Sequence, residues 1–345
     1  MRILIATDAW VPQVNGVVRT YQRLEEELVS MGHEVCFVTP SEFYTMPCPT
    51  YPEIRLSFAR RKQVARLINE FQPEAIHIAT EGPIGWAARR VCLSEGRPFT
   101  TAYHTRFPEY VTERMPIPLS LIYKLVRTFH NAGNGIMVAT KSLQNELHLR
   151  GFKPLCSWTR GVNTEIFKRR DVRLFGTSKV ALYVRRVAPE KNLDAFLELD
   201  MDLTKVVVGD GPYLKQLQQT YKDVIFTGAK EGEELAECYS SADVFVFPSK
   251  TDTFGIVLLE AMASGVPVAA YPVTGPIDVV EEGVTGCLSE SLQEAIAGAL
   301  KLDREICRAR ALEFSWQRCA ELFLGNLSKD PSSSEVTEPS HQAAG

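Results

Sequence analysis

Several signatures are absent from this chain, and each absence narrows its function. No run reaches the roughly 18 to 20 unbroken apolar residues of a spanning helix; the longest candidate, residues 255–273, is interrupted by Glu260 and Pro267. The opening MRILIATDAW has a short apolar run without a small-residue cleavage site, so it reads as a first strand, and no export of the protein is expected. There is no G-x-x-x-x-G-K-[ST], which excludes a P-loop NTPase, and no G-x-G-x-x-G after an opening strand, which disfavours a dehydrogenase. The eight cysteines form no C-x-x-C pair and the histidines show no zinc spacing, so reduced thiols in a reducing compartment are expected and no metal is implied. Asp200 and Asp202 mimic a D-x-D metal motif, but they precede the strand-like KVVVGD and read as a polar turn.

A formal net charge of −4 argues against nucleic acid as a partner. Its distribution says more. Residues 1–166 hold 19 Lys+Arg against 15 Asp+Glu, and the remainder 19 against 27, so the N-terminal half is the one suited to an anionic surface.

The two halves open alike. RILIATDAW leads through VPQVNGVV into a helical pattern from Arg19 to Met31, and SKVALYVRRVAPEKN leads from a strand through a polar loop into a helix near Leu193. Short strands and helices then alternate in each half: HEVCFVTP, AIHIAT, FTTAYHT and GIMVAT, then KVVVGDG, VIFTG, DVFVFPS and VPVAAYP. Such alternation predicts two parallel, doubly wound α/β domains, 1–165 and 166–327, with a disordered tail over 328–345 and the last helix packing on the body. Ligands of such sheets bind beyond the carboxyl ends of the strands, so two facing domains would place the site in the cleft between them.

Two loops carry candidate chemistry. Arg186 and Lys191 flank RRVAPEKN at a strand end and a helix start, where a diphosphate would be well held; a solvated charged turn is the other reading. In TDTFGIVLLEAMASG, eight helical steps would set Asp252 and Glu260 about 12 Å apart along the axis, too far to share a proton. A helix beginning near Gly255 instead leaves Asp252 before its N-terminus and Glu260 inside an apolar helix. The plain alternatives are an N-cap for Asp252 and a surface acid for Glu260. Asn15-Gly16 reads as a turn or as a close approach to phosphate.

Taken together, FVFPSKTDTFGIVLLEAMASGVPVAA resembles the acid-x7-Glu signature of the retaining glycosyltransferases of family 4, which have the GT-B fold. RRVAPEKN resembles their Gly-Arg-Val-x-x-x-Lys loop, VGDGP their second-domain turn and VPQVNGVVRT their first donor loop, over residues 1 to about 327. The resemblance implies that Arg186 and Lys191 hold the donor diphosphate, and that Thr253, Phe254 and Gly255 offer backbone N–H groups. Asp252 would bind sugar hydroxyls and Glu260 the nucleotide ribose. Gly16 would let the first loop approach, and His104 would stand over the sugar. It implies no cofactor beyond the donor itself, a UDP- or GDP-sugar, and no protein nucleophile.

Asp252 stands where the pattern more often has Glu, and Arg185 where it usually has Gly. The Arg185 guanidinium would reach the phosphates, a uronate on the donor sugar, or solvent. The likeness is greatest to the glycolipid-making branch, which implies transfer of a hexose or uronic acid to a lipid such as diacylglycerol by a protein peripheral on the cytoplasmic face. Two segments read as ordinary amphipathic helices with their apolar stripe in the core, and as a pair in a half of net positive charge they also fit such a surface: ARRKQVARLINEF, with Arg60, Arg61, Lys62 and Arg66, and PLSLIYKLVRTFH, whose Ile122, Leu125, Val126 and Phe129 share helical spacing beside Lys124, Arg127 and His130. A soluble or polysaccharide acceptor is the alternative among enzymes, and a non-catalytic sugar-nucleotide-binding regulator the alternative outside them.

Overall fold

The computed structural model describes residues 1–13, 15–48, 51–112, 115–250, 252 and 254–328. Of the tail expected over 328–345, residues 329–345 lie outside them. In chain order the first half forms β1 (Arg2–Ala6), α1 (Gly16–Ser30), β2 (Glu34–Val38), β3 (Thr45–Cys48), β4 (Tyr51–Ser57), α2 (Arg61–Phe71), β5 (Ala75–Ile78), α3 (Pro83–Glu95), β6 (Thr100–Tyr103), α4 (Phe107–Thr112), α5 (Leu119–His130), β7 (Gly135–Val138), α6 (Lys141–Leu149) and β8 (Leu155–Ser157). The second half adds β9 (Val180–Val184), α7 (Asp194–Leu197), β10 (Thr204–Val208), α8 (Leu214–Thr220), β11 (Ile225–Gly228), α9 (Gly232–Ser240), β12 (Val244–Phe247), α10 (Ile256–Ala263), β13 (Val268–Ala270), α11 (Pro276–Val279), β14 (Gly286–Leu288), α12 (Leu292–Ala299), α13 (Arg304–Ala311) and α14 (Trp316–Asn326).

The chain divides into two compact units. Met1–Val138, Glu146–Ser157 and the segment from Ala320 form one, and Ala139–Asn145 with Trp158–Cys319 the other. In the first, six parallel strands run in the order β2-β1-β5-β6-β7-β8; in the second the order is β11-β10-β9-β12-β13-β14. The strand order therefore reverses at β1/β5 and at β9/β12, and such switch points are where ligands of open α/β sheets bind. Strands such as β9, with all five residues buried, are apolar on both faces because helices cover both sides. The antiparallel β3–β4 pair stands apart from the six-stranded sheets.

Local chemistry sets the element ends. The Asn15 side chain accepts from the amides of Val17 and Val18 at 3.0 and 3.1 Å, so α1 begins at Gly16 and not at Arg19 as the apolar spacing suggests. The expected helix near Leu193 is only the four residues of α7. On α5, Ile122, Val126 and Phe129 are buried, but Leu125 is 54% exposed and the polar-looking His130 is buried, which corrects the amphipathic reading.

Asp8, just past β1, ties that strand to the N-terminus of α3. Its carboxylate accepts from the amides of Ile84 and Gly85 and from the Thr80 hydroxyl. Burial nonetheless pushes its pKa from an ordinary 3.8 to about 6, outweighing those hydrogen bonds. The folded state thus binds this proton more tightly than the unfolded state, so its stabilisation is full below the ordinary value and is lost as pH rises through 6. Urea unfolding is expected to show roughly 2 to 3 kcal/mol lost through this group between pH 4 and 7, with Asp8→Asn flattening that part of the profile. The same slope in the variant would assign the loss elsewhere.

Candidate active site

Two loops leave the carboxyl ends of the neighbouring strands β9 and β12. The first is shaped from below by the turn after β10. Gly209 and Gly211 have φ of 149° and 158°, and a Cβ on either would lie 1.8 Å from the Arg185 carbonyl oxygen or 2.2 Å from that of Val187. Only glycine permits this approach, which lets the Arg185 and Val187 amides donate to the Val208 and Asp210 carbonyls. The loop then makes a single 3-10 turn, Pro189–Lys191. Asn192 follows in the left-handed conformation, and its Nδ2 donates to the Pro248 carbonyl at 3.0 Å, tying the first loop to the second.

This geometry brings three charges together. Lys191 Nζ lies 2.9 Å from Asp252 Oδ1 and Arg185 Nη1 lies 2.6 Å from Asp252 Oδ2, while the Arg185 guanidinium sits over the Phe247 ring. Lys191 and Asp252 are each only 7% exposed. Burial by itself would raise the Asp252 pKa, but Arg185 and then Lys191 outweigh it and hold the carboxyl well below the usual range. Burial, followed by the charge of Arg185, pulls the Lys191 ammonium below its ordinary value despite its contact with Asp252. Both directions arise where two cations share one carboxylate in a desolvated place, with the Glu190 carboxylate also acting on Lys191.

Arg185, expected to reach the phosphates, a uronate or solvent, clamps Asp252 instead. Arg186, expected with Lys191 to hold the donor diphosphate, is exposed at this loop, with its carbonyl accepting from the Tyr183 hydroxyl at 3.0 Å. Asp252 is not the N-cap of α10. That place belongs to Gly255, with φ 88°, and Phe254 beside it is buried in the core of this unit. Thr253 lies outside the described residues. Because α10 is buried on nearly every side, Glu260 is buried too and is not a surface acid. Its Oε2 accepts from the Tyr239 hydroxyl at 2.9 Å, so the protein itself supplies a hydroxyl that sequence reasoning assigns to a ligand. The signal that could have found it is CYSSADVFVF, in which Tyr239 falls in the last turn of the helix before β12.

In the other unit, Gly16 opens α1, and a methyl group in place of its hydrogen would meet nothing within 4 Å, so no packing demand accounts for its lack of a side chain. His104 follows β6, half-buried, with Nε2 2.9 Å from the Tyr21 hydroxyl. Asp200 and Asp202 lie ahead of β10, at the strand end opposite to the charged cluster.

Two parallel α/β units with a cationic site past the strand ends define a GT-B protein, and solved structures agree on the fold. The Anabaena protein Alr3699/HepE in complex with UDP superposes with a TM-score of 0.71 at 16% identity, over 94% of this chain and 99% of that one. A sucrose-phosphate synthase from Thermosynechococcus elongatus gives 0.70 at 21% identity, over 94% and 97%. Residues 14–166 match Glycosyltransferase Family 4 and residues 164–304 match Glycosyl transferases group 1. A GDP-mannose-dependent alpha-mannosyltransferase of Corynebacterium glutamicum is 31% identical over 315 residues, 84% of this chain and 76% of the relative. The sulfoquinovosyl transferase SQD2 of Arabidopsis thaliana is 30% identical, with 80% of this chain and 61% of the relative covered. The alpha-monoglucosyldiacylglycerol synthase of Streptococcus pneumoniae is 28% identical, with 79% and 71% covered. The chain is a glycosyltransferase and belongs to family 4.

Proposed function

We propose that this glycosyltransferase moves a hexose or uronic acid from a UDP- or GDP-sugar to a membrane lipid such as diacylglycerol, with retention at the anomeric carbon. The observation that carries the reading is the buried cluster of Arg185, Lys191 and Asp252 at the β9/β12 switch point. A donor diphosphate is the anion that such a site suits, and the charge that develops on it as the sugar departs is what two cations stabilise most. The N-terminus of α10 opens beside Asp252 and adds backbone N–H groups to the same end of the sheet.

In the reaction, Lys191 and Arg186 take the diphosphate, Phe254 and Gly255 supply amides, Asp252 aligns the sugar through its hydroxyls, and Glu260 holds the ribose. His104 meets the sugar near the reacting carbon. The departing phosphate oxygen accepts the proton of the attacking hydroxyl on the face it leaves, which retains configuration without a nucleophile from the protein. Catalysis then comes from alignment and from stabilising the leaving group.

The relative named as an alpha-monoglucosyldiacylglycerol synthase supports a lipid acceptor, and so does the surface of the first unit. Leu121 and Leu125, one turn apart on α5, are 57% and 54% exposed beside the exposed Lys124, an arrangement that would lay leucines into a lipid interface. Arg60, Arg61 and Lys62 gather at the start of α2. Among the described residues no helix is long and apolar enough to cross a membrane, so attachment would be peripheral.

A screen of nucleotide sugars against diacylglycerol, with product mass and anomer determined, tests the function. A glycolipid of retained configuration is expected; turnover only with soluble acceptors would overturn the lipid reading, and binding without turnover would make the chain a sugar-nucleotide sensor. Flotation with anionic vesicles tests the surface. Each exposed leucine is worth about 1.5 to 3 kcal/mol when buried and each basic residue about 1 kcal/mol near the membrane. Leu121→Ser with Leu125→Ser, or Arg60, Arg61 and Lys62 all to Ser, is therefore expected to lower vesicle binding at least tenfold, roughly. Unchanged flotation in both would remove these helices from the membrane face.

A further inference from the structure

The first unit contains a buried polar chain that the donor site does not explain. Register between β5 and β6 sets His77 opposite Thr100, and His77 Nδ1 lies 2.9 Å from the Thr100 hydroxyl. His77 Nε2 lies 2.9 Å from the Tyr21 hydroxyl, and that same hydroxyl lies 2.9 Å from His104 Nε2. The circuit thus runs from the start of β6 through β5 and α1 to the residue just past the end of β6. Thr100, His77 and Tyr21 are fully buried, and His104 is where the chain approaches the surface. Edge-on ring contacts of Tyr21 with His104 and of His77 with Phe323 hold the rings at 81° and 76° to each other.

The Tyr21 hydroxyl carries one proton, so it donates to only one of the two imidazoles and accepts from the other. If it donates to His104 Nε2, His77 must carry its proton on Nε2 and accept from Thr100 at Nδ1. If it donates to His77, then His104 carries its proton on Nε2 and His77 Nδ1–H donates to Thr100. In each arrangement all three contacts are satisfied, and reversal of one requires reversal of all. A solitary buried histidine would need only one partner for each nitrogen; this chain makes the tautomer and ring orientation of His104 depend on groups two hydrogen bonds away.

We propose that Tyr21 and His77 are positioning residues for His104, a relay through which α1 and β5 fix the ring that meets the donor sugar. The catalytic part of this rests on the donor-site reading of His104 given above; the coupling of the two imidazoles does not. Because α1 is also the helix that Gly16 opens, the relay fastens the first donor loop and His104 to the same support.

The test combines histidine side-chain 15N spectra of the full-length protein with steady-state kinetics. Tyr21→Phe removes one oxygen and keeps the ring packing, so the Nε2 signals of both His77 and His104 are expected to move, and kcat to fall about 10- to 100-fold, as for a misplaced reacting group, with donor KM changed by less than about threefold. Thr100→Val, which touches neither Tyr21 nor His104 in the chain, is expected to move the His104 signal as well; it also serves if Tyr21→Phe does not fold. His77→Gln, which offers an amide in place of Nε2, should retain more turnover than His77→Leu. His104 signals that stay in place in Tyr21→Phe and Thr100→Val overturn the relay. Wild-type turnover in His104→Ala overturns the donor-site reading of that residue and with it the positioning role, while wild-type turnover in Tyr21→Phe beside an impaired His104→Ala overturns the positioning role alone.

Discussion

Asp252→Ala is expected to lose most turnover and about 3 to 5 kcal/mol of folding stability, because it leaves buried cations without their counter-ion. Arg185 and Lys191 meet on this one carboxylate, and Lys191 is already held below its ordinary pKa by burial and by Arg185. Without Asp252 the two cations repel each other in a desolvated site. Lys191→Ala acts differently. It leaves the Arg185–Asp252 contact in place, so its stability loss should be smaller, while on the proposed donor site a charge-assisted contact to the leaving group worth on the order of 1.5 to 3 kcal/mol would disappear, or about 10- to 150-fold in kcat/KM. Since that contact strengthens as phosphate charge develops, the loss should fall on kcat. The pH dependence has a definite sign. The folded Asp252 carboxyl titrates below its ordinary value of 3.8, so its stabilisation is complete above that pH and declines as pH falls toward the depressed folded pKa. Urea melts and kcat/KM for both variants decide the matter; wild-type values in Asp252→Ala would remove the cluster from both the fold and the reaction.

Glu260→Gln is expected to keep the fold and lose about 10- to 150-fold in kcat/KM, and here the loss should lie in donor KM. The Gln carbonyl oxygen accepts from the Tyr239 hydroxyl as the carboxylate does, and the volume of α10 does not change, so the packing around it survives. On the proposed donor site, what disappears is a charged acceptor for ribose hydroxyls, far from the bond that breaks, and such binding would be felt equally in the ground and transition states. Calorimetry with the free nucleotide should show weaker binding by a similar factor. An unchanged KM with unchanged nucleotide affinity would make Glu260 a core group serving Tyr239 alone.

Much of the fold is legible because parallel strands covered on both faces are written as apolar runs. VALYV and VFVF need no context to read as buried strands. The β3–β4 pair is not legible, since TMPCPTYPEIRLS carries three prolines that break any strand pattern. The strands β8 and β14, LCS and GCL, lack the apolar run that makes the equally short β13 legible within VPVAAYP. Leu125 is misread from sequence because helical spacing marks every apolar residue near a stripe as core, whereas only the neighbouring elements decide where that stripe ends. The start of α1 is present in the sequence as Asn15, whose capping side chain outweighs the onset of apolar spacing.

The candidate site divides along the same line. Local propensity and burial patterns act over a few residues, and they suffice to show that RRVAPEKN ends a strand, that Asp252 precedes a helix and that Glu260 lies inside it. They do not show that Arg185 spends its charge on Asp252, that the Tyr239 hydroxyl donates to Glu260, or that Tyr21 stands between two histidines. Lys191 and Asp252 are 61 positions apart, and Tyr21 and His104 83 apart. Only the order of strands in each sheet makes them neighbours: β9 lies beside β12 and β5 beside β6. Hydrogen bonds and ion pairs act within about 3 to 4 Å, so these partners are chosen by the packing that brings strand ends together, and no local pattern records it.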